Sequence, residues 1–78
     1  MANTQKAIDD TCKYRDVQSL KKGTQCIVDG KKGVIWGGNS AANFNVKYDD
    51  DGRIRNCHPY WRMKILNNDG SVLYEHKD

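Results

Sequence analysis

Seven side chains between positions 47 and 64 carry the groups with which this chain could do chemistry. Lys47, Arg53, Arg55, Arg62 and Lys64 are cationic, and Tyr60 and Trp61 are aromatic. Ammonium and guanidinium groups neutralise phosphates, and an indole or phenol ring stacks a base. The chemistry on offer is therefore recognition of a polyanion, with Lys31 and Lys32 as further cations. Asp49, Asp50 and Asp51 lie in the same stretch and dilute it, so the competing reading is an ordinary solvated face. Tyr60 and Trp61 follow a proline in a turn, which leaves one of them exposed and able to anchor a protein partner.

Other reactive residue types do not assemble. Zinc needs paired ligands at short spacing. Cys12, Cys26, Cys57, His58 and His76 offer one adjacent pair, Cys57-His58, and no Cys-x-x-Cys. Buried structural thiols, with His58 partly buried and hydrogen-bonded, are the expectation. No nucleophile has an evident base, no glycine-rich loop suits a phosphate, and the 49–51 run reads as a turn tip. A non-enzymatic chain without metal or cofactor follows.

The elements that must position the cationic set are short. Apolar and β-branched runs separated by Gly, Asp and Asn clusters describe antiparallel strands. They are expected at about 24–28, 33–36, 44–48, 53–57 and 63–66, with a further edge strand at 71–75. Asp29-Gly30 is a hairpin signal, and Gly33 is a candidate bulge. Residues 37–43 read as a flexible loop, and Gly23 as a residue with positive φ.

Phe44, Val46 and Tyr48 alternate onto one face, with Asn45 and Lys47 on the other. A three-residue loop at 50–52 sets Tyr48 opposite Ile54, Val46 opposite Asn56, Asp49 opposite Arg53 and Lys47 opposite Arg55. Lys47 and Arg55 would then share the outer face as a like-charged pair. A four-residue loop, which places Val46 opposite Arg55, is rejected because it mixes core with charge. Pro59 ends the fourth strand, and 59–62 form a single 3₁₀-like turn.

Residues 2–20 differ in character. Ala7, Ile8 and Cys12 recur at helical spacing, with Leu20 a later contact, and Asn3 or Thr4 offers a cap. One helix is expected at about 4–14, against the alternative of a frayed arm.

Seventy-eight residues make one domain: a helical extension at 1–20, a β-rich centre at 22–66, and a hairpin and tail at 67–78. The expected core is Ile27, Val28, Val34, Ile35, Trp36, Phe44, Val46, Tyr48, Ile54, Met63, Ile65 and Leu66, supported by Val72 and Tyr74. A formal charge of +3 permits a polyanion partner without demanding one. Three cysteines cannot all pair within the chain, no apolar leader opens the sequence, and no run approaches the ~20 residues of a membrane span. A reduced, cytoplasmic setting is the expectation.

Gly-x-x-Cys-Ile-Val (23–28), Gly-Lys-Lys-Gly-Val-Ile (30–35), Asn-Val-Lys-Tyr-Asp-Asp-Asp-Gly (45–52) and a proline before a last strand now coincide. This layout resembles the SH3-like small β-barrels, particularly the KOW and Tudor-like branches, over about residues 22–66. The resemblance implies five bent strands and a module that binds nucleic acid, a ribosomal or polymerase surface, or a modified peptide. It implies no catalytic residues. In Tudor-like modules an aromatic cluster holds a methylated cation, which here would draw on Trp36, Tyr48, Tyr60 and Trp61; the first two read better as core.

The expected fold is thus mainly β: a five- to six-stranded SH3-like antiparallel barrel with a short N-terminal helix. The expected partner is nucleic acid or a nucleoprotein machine, bound through Lys47, Arg53, Arg55, Tyr60, Trp61, Arg62 and Lys64. The alternative is a protein–protein module, a small inhibitor or adaptor of phage or bacterial kind that docks a host enzyme.

Overall fold

Thr4 opens the first element as the sequence suggests: its hydroxyl accepts from the Ala7 N–H, and helix α1 runs Gln5–Arg15. The helix ends at Asp16, whose left-handed φ of 55° lets its N–H and that of Val17 close onto the carbonyls of the last turn. The computed structural model describes residues 3–76, without the side chains of Tyr74 and His76. The expected support from the Tyr74 side chain and the loose tail at Lys77 and Asp78 lie outside the described residues; His76, expected in that tail, instead ends the last strand, paired with Met63. Ile8, Thr11 and Cys12 form the buried stripe of α1, and Leu20 closes under it. The stripe is thin, so tertiary packing rather than intrinsic propensity holds this helix.

Six strands follow: β1 (Gln25–Val28), β2 (Lys31–Gly38), β3 (Phe44–Tyr48), β4 (Ile54–Cys57), β5 (Met63–Leu66) and β6 (Val72–His76). They form one antiparallel sheet in the order β4-β3-β2-β1-β5-β6. The first four strands are a meander, and β5 returns to the free side of β1. The sheet is open, with β4 and β6 at its edges. With α1 packed on the sheet, the molecule measures 26 × 26 × 24 Å.

Turn chemistry places the strands. Asp29 and Gly30 both have positive φ, 51° and 82°, which the two-residue turn between β1 and β2 requires. The bulge expected at Gly33 lies instead between Ile35 and Gly37, at Trp36. Gly33 is needed for a different reason: a Cβ there would meet the Lys47 carbonyl oxygen at 2.8 Å. Gly38 is tighter still. A Cβ there would collide with the Ala7 carbonyl oxygen, so α1 rests directly on the backbone of β2. Of the loop expected at 37–43, Gly37 and Gly38 belong to β2, and the remainder is hydrogen-bonded. The Asn39 carboxamide accepts from the N–H groups of Ala41 and Asn43, and the Arg15 guanidinium donates to the carbonyls of Ala41 and Ala42.

The β3–β4 register departs from expectation. Val46 stands opposite Arg55, Lys47 opposite Ile54, and Phe44 opposite Cys57. The connection is the four-residue loop that the alternation argument rejects. The Tyr48 N–H donates to Arg53 O, the Gly52 N–H to Tyr48 O, and the Asp51 carboxylate takes the Arg53 N–H at 2.9 Å. The reason is that β4 is an edge strand, and only Cys57 in it is buried. Arg53 and Arg55 reach water past the rim of the core, so no charge is buried. The shift also removes the like-charged Lys47–Arg55 pairing. Ile54, expected in the core, is 41% exposed.

The core lies on the face of the sheet that carries α1: Cys26, Val28, Ile35, Phe44, Val46, Tyr48, Cys57, Met63 and Ile65 cluster with Ile8, Cys12 and Leu20. Ile27, Val34 and Trp36 are half-buried on the other face, which corrects their assignment to the core. Val72 and Leu73 on β6 are exposed. The hairpin turn at Asn67–Gly70 closes as expected through Gly70 N–H to Asn67 O.

Candidate binding face

Strand alternation sends Lys32, Val34 and Trp36 of β2 to the outer face while Gly33 and Ile35 turn inward. Lys47 of β3 stands beside Val34, and Ile54 of β4 beside Lys47. On the other flank, Ile27 of β1 lies between Lys32 and Lys64. The outer face is thus a lattice in which apolar and cationic side chains alternate across the strands.

Trp36 is its centre. Segment 20–24 continues the β1–β2 pairing, because the Gly23 N–H donates to Ile35 O at 2.7 Å and the Ile35 N–H to Thr24 O at 2.8 Å. That pairing brings Lys22 alongside Trp36. Lys22 Nζ lies 4.3 Å from the ring centroid and also donates to Asn3 O at 2.7 Å, while Lys47 Nζ lies 4.7 Å from the same ring. The two nitrogens are no farther apart than these distances laid end to end, about 9 Å. At such a separation two like charges repel by about 0.5 kcal/mol in bulk water and ~2 kcal/mol at the effective dielectric of a protein surface. Each cation–π contact returns about 0.5–1 kcal/mol. The face therefore holds positive charge concentrated at one aromatic ring, in a form that an anion would stabilise.

A carboxamide cluster bounds this patch. Asn39 Nδ2 donates to Asn45 Oδ1 at 3.1 Å and to Asn56 Oδ1 at 2.6 Å, and Asn45 Nδ2 donates to Asn3 Oδ1 and Gly38 O. Asn45 is fully buried, and each of its amide atoms is satisfied.

The cations expected to form the site are dispersed, and most face acids. Arg55 Nη2 is 3.6 Å from Asp51, Arg62 Nη1 is 3.1 Å from Asp29, and Lys64 Nζ is 3.6 Å from Glu75. Arg55 shares the face of Val46, not that of Lys47, which corrects the expected basic pair. Arg53 is exposed in the same edge region. Among the described residues, Lys22, Lys31, Lys32, Lys47 and Arg53 have no acidic partner within ion-pair distance. Tyr60 and Trp61 sit in a turn closed by Trp61 N–H to His58 O. The Tyr60 hydroxyl donates to Arg15 O, and Trp61 is 43% exposed with the Arg62 guanidinium 5.9 Å from its ring. Lys22 is the residue sequence reasoning missed, and Trp36, weighed there as part of an aromatic cage and assigned to the core, lies on the outer face instead. The signal was present in the period of β2: Lys32, Val34 and Trp36 stand two apart, with glycine and isoleucine between.

The remaining candidates read as structure. Tyr48 points inward, its hydroxyl 3.3 Å from Cys57 Sγ, so it forms no aromatic cage with the outward Trp36. Burial pushes the Cys26 thiol up to about 12 and raises Cys12, Cys57 and the Tyr48 phenol as well. Thiols held protonated are poor nucleophiles. All three cysteines are free and buried. His58 is half-buried, and its Nδ1 accepts from the Tyr60 N–H at 3.1 Å. Among the described residues no three His, Cys, Asp or Glu side chains gather as a metal site, and no helix is long and apolar enough to cross a membrane. The carboxylates of Asp50 and Asp51 are spent on their own loop's N–H groups.

Comparison with protein-family models, curated proteins and solved structures finds no match to this chain.

Proposed function

We propose that this chain is a non-enzymatic binding module that engages nucleic acid, free or within a nucleoprotein machine, through the outer face of β2 and β3. One observation carries the reading: Trp36 held between the ammonium groups of Lys22 and Lys47, with Lys32 on the same face. Phosphate neutralisation by these lysines supplies affinity, and the ring supplies an apolar surface beneath them. The kinship suggested by the sequence, an SH3-like small barrel, is favoured by the strand order. A four-strand meander with the fifth strand back beside the first is what five bent strands curling toward a barrel produce. The free, buried thiols suit a reducing compartment such as the cytoplasm.

A gel shift against single- and double-stranded DNA and RNA, at about 50 and 200 mM salt, tests the proposal. Retarded complexes that weaken steeply with salt are expected. No shift with any of these at the lower salt would refute it.

The 58–62 turn favours a second reading. Trp61, Tyr60 and Arg62 are residue types that dominate protein–protein hot spots, and Trp61 is substantially exposed. A small inhibitor or adaptor docking a host enzyme through this turn would show shallow salt dependence. It would lose affinity with Trp61→Ala rather than with changes at Lys22 or Lys47.

A further inference from the structure

The lattice on the outer face has a spacing that distinguishes two kinds of nucleic acid. Cationic and apolar side chains adjoin on it: Ile54, Lys47 and Val34 lie side by side across β4, β3 and β2, and Lys32, Ile27 and the Glu75-paired Lys64 across β2, β1 and β5. Ile54 is 41% exposed, and Trp36, Val34 and Ile27 are half-buried.

A duplex offers such a surface only phosphates and sugars, because its base faces are stacked inside. Laid on this face, a duplex would press charged backbone against Trp36, Val34 and Ile54 and strip water from phosphates that gain no partner there. A single strand offers both kinds of surface at once, flat apolar bases and the phosphates between them.

The ring is occupied by the two lysines in the free protein, so a base must displace an ammonium to reach it. The balance favours displacement. Stacking of a base on an aromatic side chain is worth about two to three times a cation–π contact at an exposed site. The displaced ammonium, on its flexible stem, stays within reach of the phosphate beside the stacked base.

We propose that the outer face binds single-stranded nucleic acid, with one base on Trp36 and the neighbouring phosphates on Lys22 and Lys47, and that duplex is a poor ligand. This deepens the nucleic-acid reading and rests on it.

The test uses the full chain and fluorescently labelled oligothymidine of about 12 nucleotides, the span of a small single-strand site, against a duplex of the same length. Anisotropy is expected to give at least about tenfold tighter binding of the single strand. Oligothymidine carrying 4-thiothymidine, irradiated in the complex and mapped by peptide mass, is expected to cross-link at Trp36. Trp36→Ala is expected to lose about tenfold, and Trp36→Phe, which keeps a stacking ring and the local packing, less than about threefold; thermal melts report whether each variant is folded. Duplex binding as tight as the single strand overturns the inference while leaving nucleic-acid binding intact. So does a cross-link confined to the 58–62 turn. Binding of neither probe, and of no DNA or RNA in the gel shift, at about 50 mM salt removes the broader reading together with this one.

Discussion

Two regions of this small protein carry comparable positive charge and handle it in opposite ways. On the outer face, Lys22 and Lys47 converge on Trp36, with no carboxylate among the described residues in ion-pair reach. Around the β3–β4 loop and the turn before β5, Arg55, Arg62 and Lys64 each meet an acid, Asp51, Asp29 and Glu75. Exposed pairs of this kind contribute about 0–1 kcal/mol to stability. Their larger consequence is electrostatic, since each removes a cation from what an approaching polyanion experiences. The difference teaches that formal charge in a sequence is a poor guide to available charge. What counts is whether a strand's neighbour supplies an acid or a ring.

The most decisive way to break this comparison is to reverse two charges in each region. Lys22→Glu with Lys47→Glu removes the same formal charge as Arg55→Glu with Arg62→Glu. The first pair is expected to weaken oligonucleotide binding by roughly 30-fold at low salt, by deleting two phosphate contacts and adding two repulsive ones. The second is expected to weaken it by less than about threefold, because those cations are already paired. Anisotropy titrations at matched salt, with melts to confirm folding, measure both. Equal losses would mean that net charge alone matters and that the two regions do not differ.

A stability experiment sharpens the same contrast through the register of β3 and β4. Val46→Ala removes methyl groups from a fully buried site and is expected to cost about 2 kcal/mol. Ile54→Ala acts at a 41% exposed site on the outer face and is expected to cost about 1 kcal/mol or less. Urea denaturation of both variants reads the difference. An Ile54 penalty matching that of Val46 would restore the three-residue loop and return Ile54 to the core.

That register also shows how far the sequence can be read. The helix and its cap at Thr4, the Asp29-Gly30 turn, the inward Phe44-Val46-Tyr48 face, Gly23 with φ of 92°, the stop at Pro59 and the 67–70 turn all follow from local chemistry and are present. Local rules succeed where one residue type can satisfy the backbone. Alternation argues against the four-residue loop, but alternation binds only strands buried on one face. In β4 only Cys57 is buried, so one arginine opposite Val46 costs nothing. The candidate site escapes the sequence for a related reason. Hydrophobicity places Trp36 in the core, but the alternation of β2 sends it outward with Lys32 and Val34, and the pairing of segment 20–24 with β2 sets a lysine fourteen positions earlier in the chain beside it. That partner is not written in composition. The acids that neutralise Arg62 and Lys64 are equally non-local, in the β1–β2 turn and on the edge strand.

Freeing the paired arginines is a smaller perturbation and runs in the opposite direction. Asp51→Asn and Asp29→Asn each keep a polar side chain in the loop while deleting the charge that faces Arg55 or Arg62. Each is expected to raise oligonucleotide affinity about two- to threefold and to steepen the salt dependence by about one counterion. Unchanged affinity in both variants would show that the rim lies too far from the bound strand to contribute, whatever its charge.

Acid should reproduce part of that gain without mutation. The Arg53 N–H, followed by the charges of Arg55 and Arg53, holds the Asp51 carboxyl below the usual carboxylate range. A group depressed in the folded state adds stability above its unfolded pKa and loses it as pH falls through the folded value. From neutrality down to about pH 5 Asp51 therefore stays charged, Arg55 stays paired, and oligothymidine affinity should be flat. Only below about pH 4 does protonation begin to release Arg55, with a gain smaller than that of Asp51→Asn because the depressed carboxyl titrates late. Oligothymidine suits the measurement because thymine takes up no proton in this range. In the Asp51→Asn variant the acid gain should shrink. A rise in affinity already complete between pH 7 and pH 5 would assign the effect to a histidine instead, and the acid-silenced rim would no longer account for the contrast between the two regions.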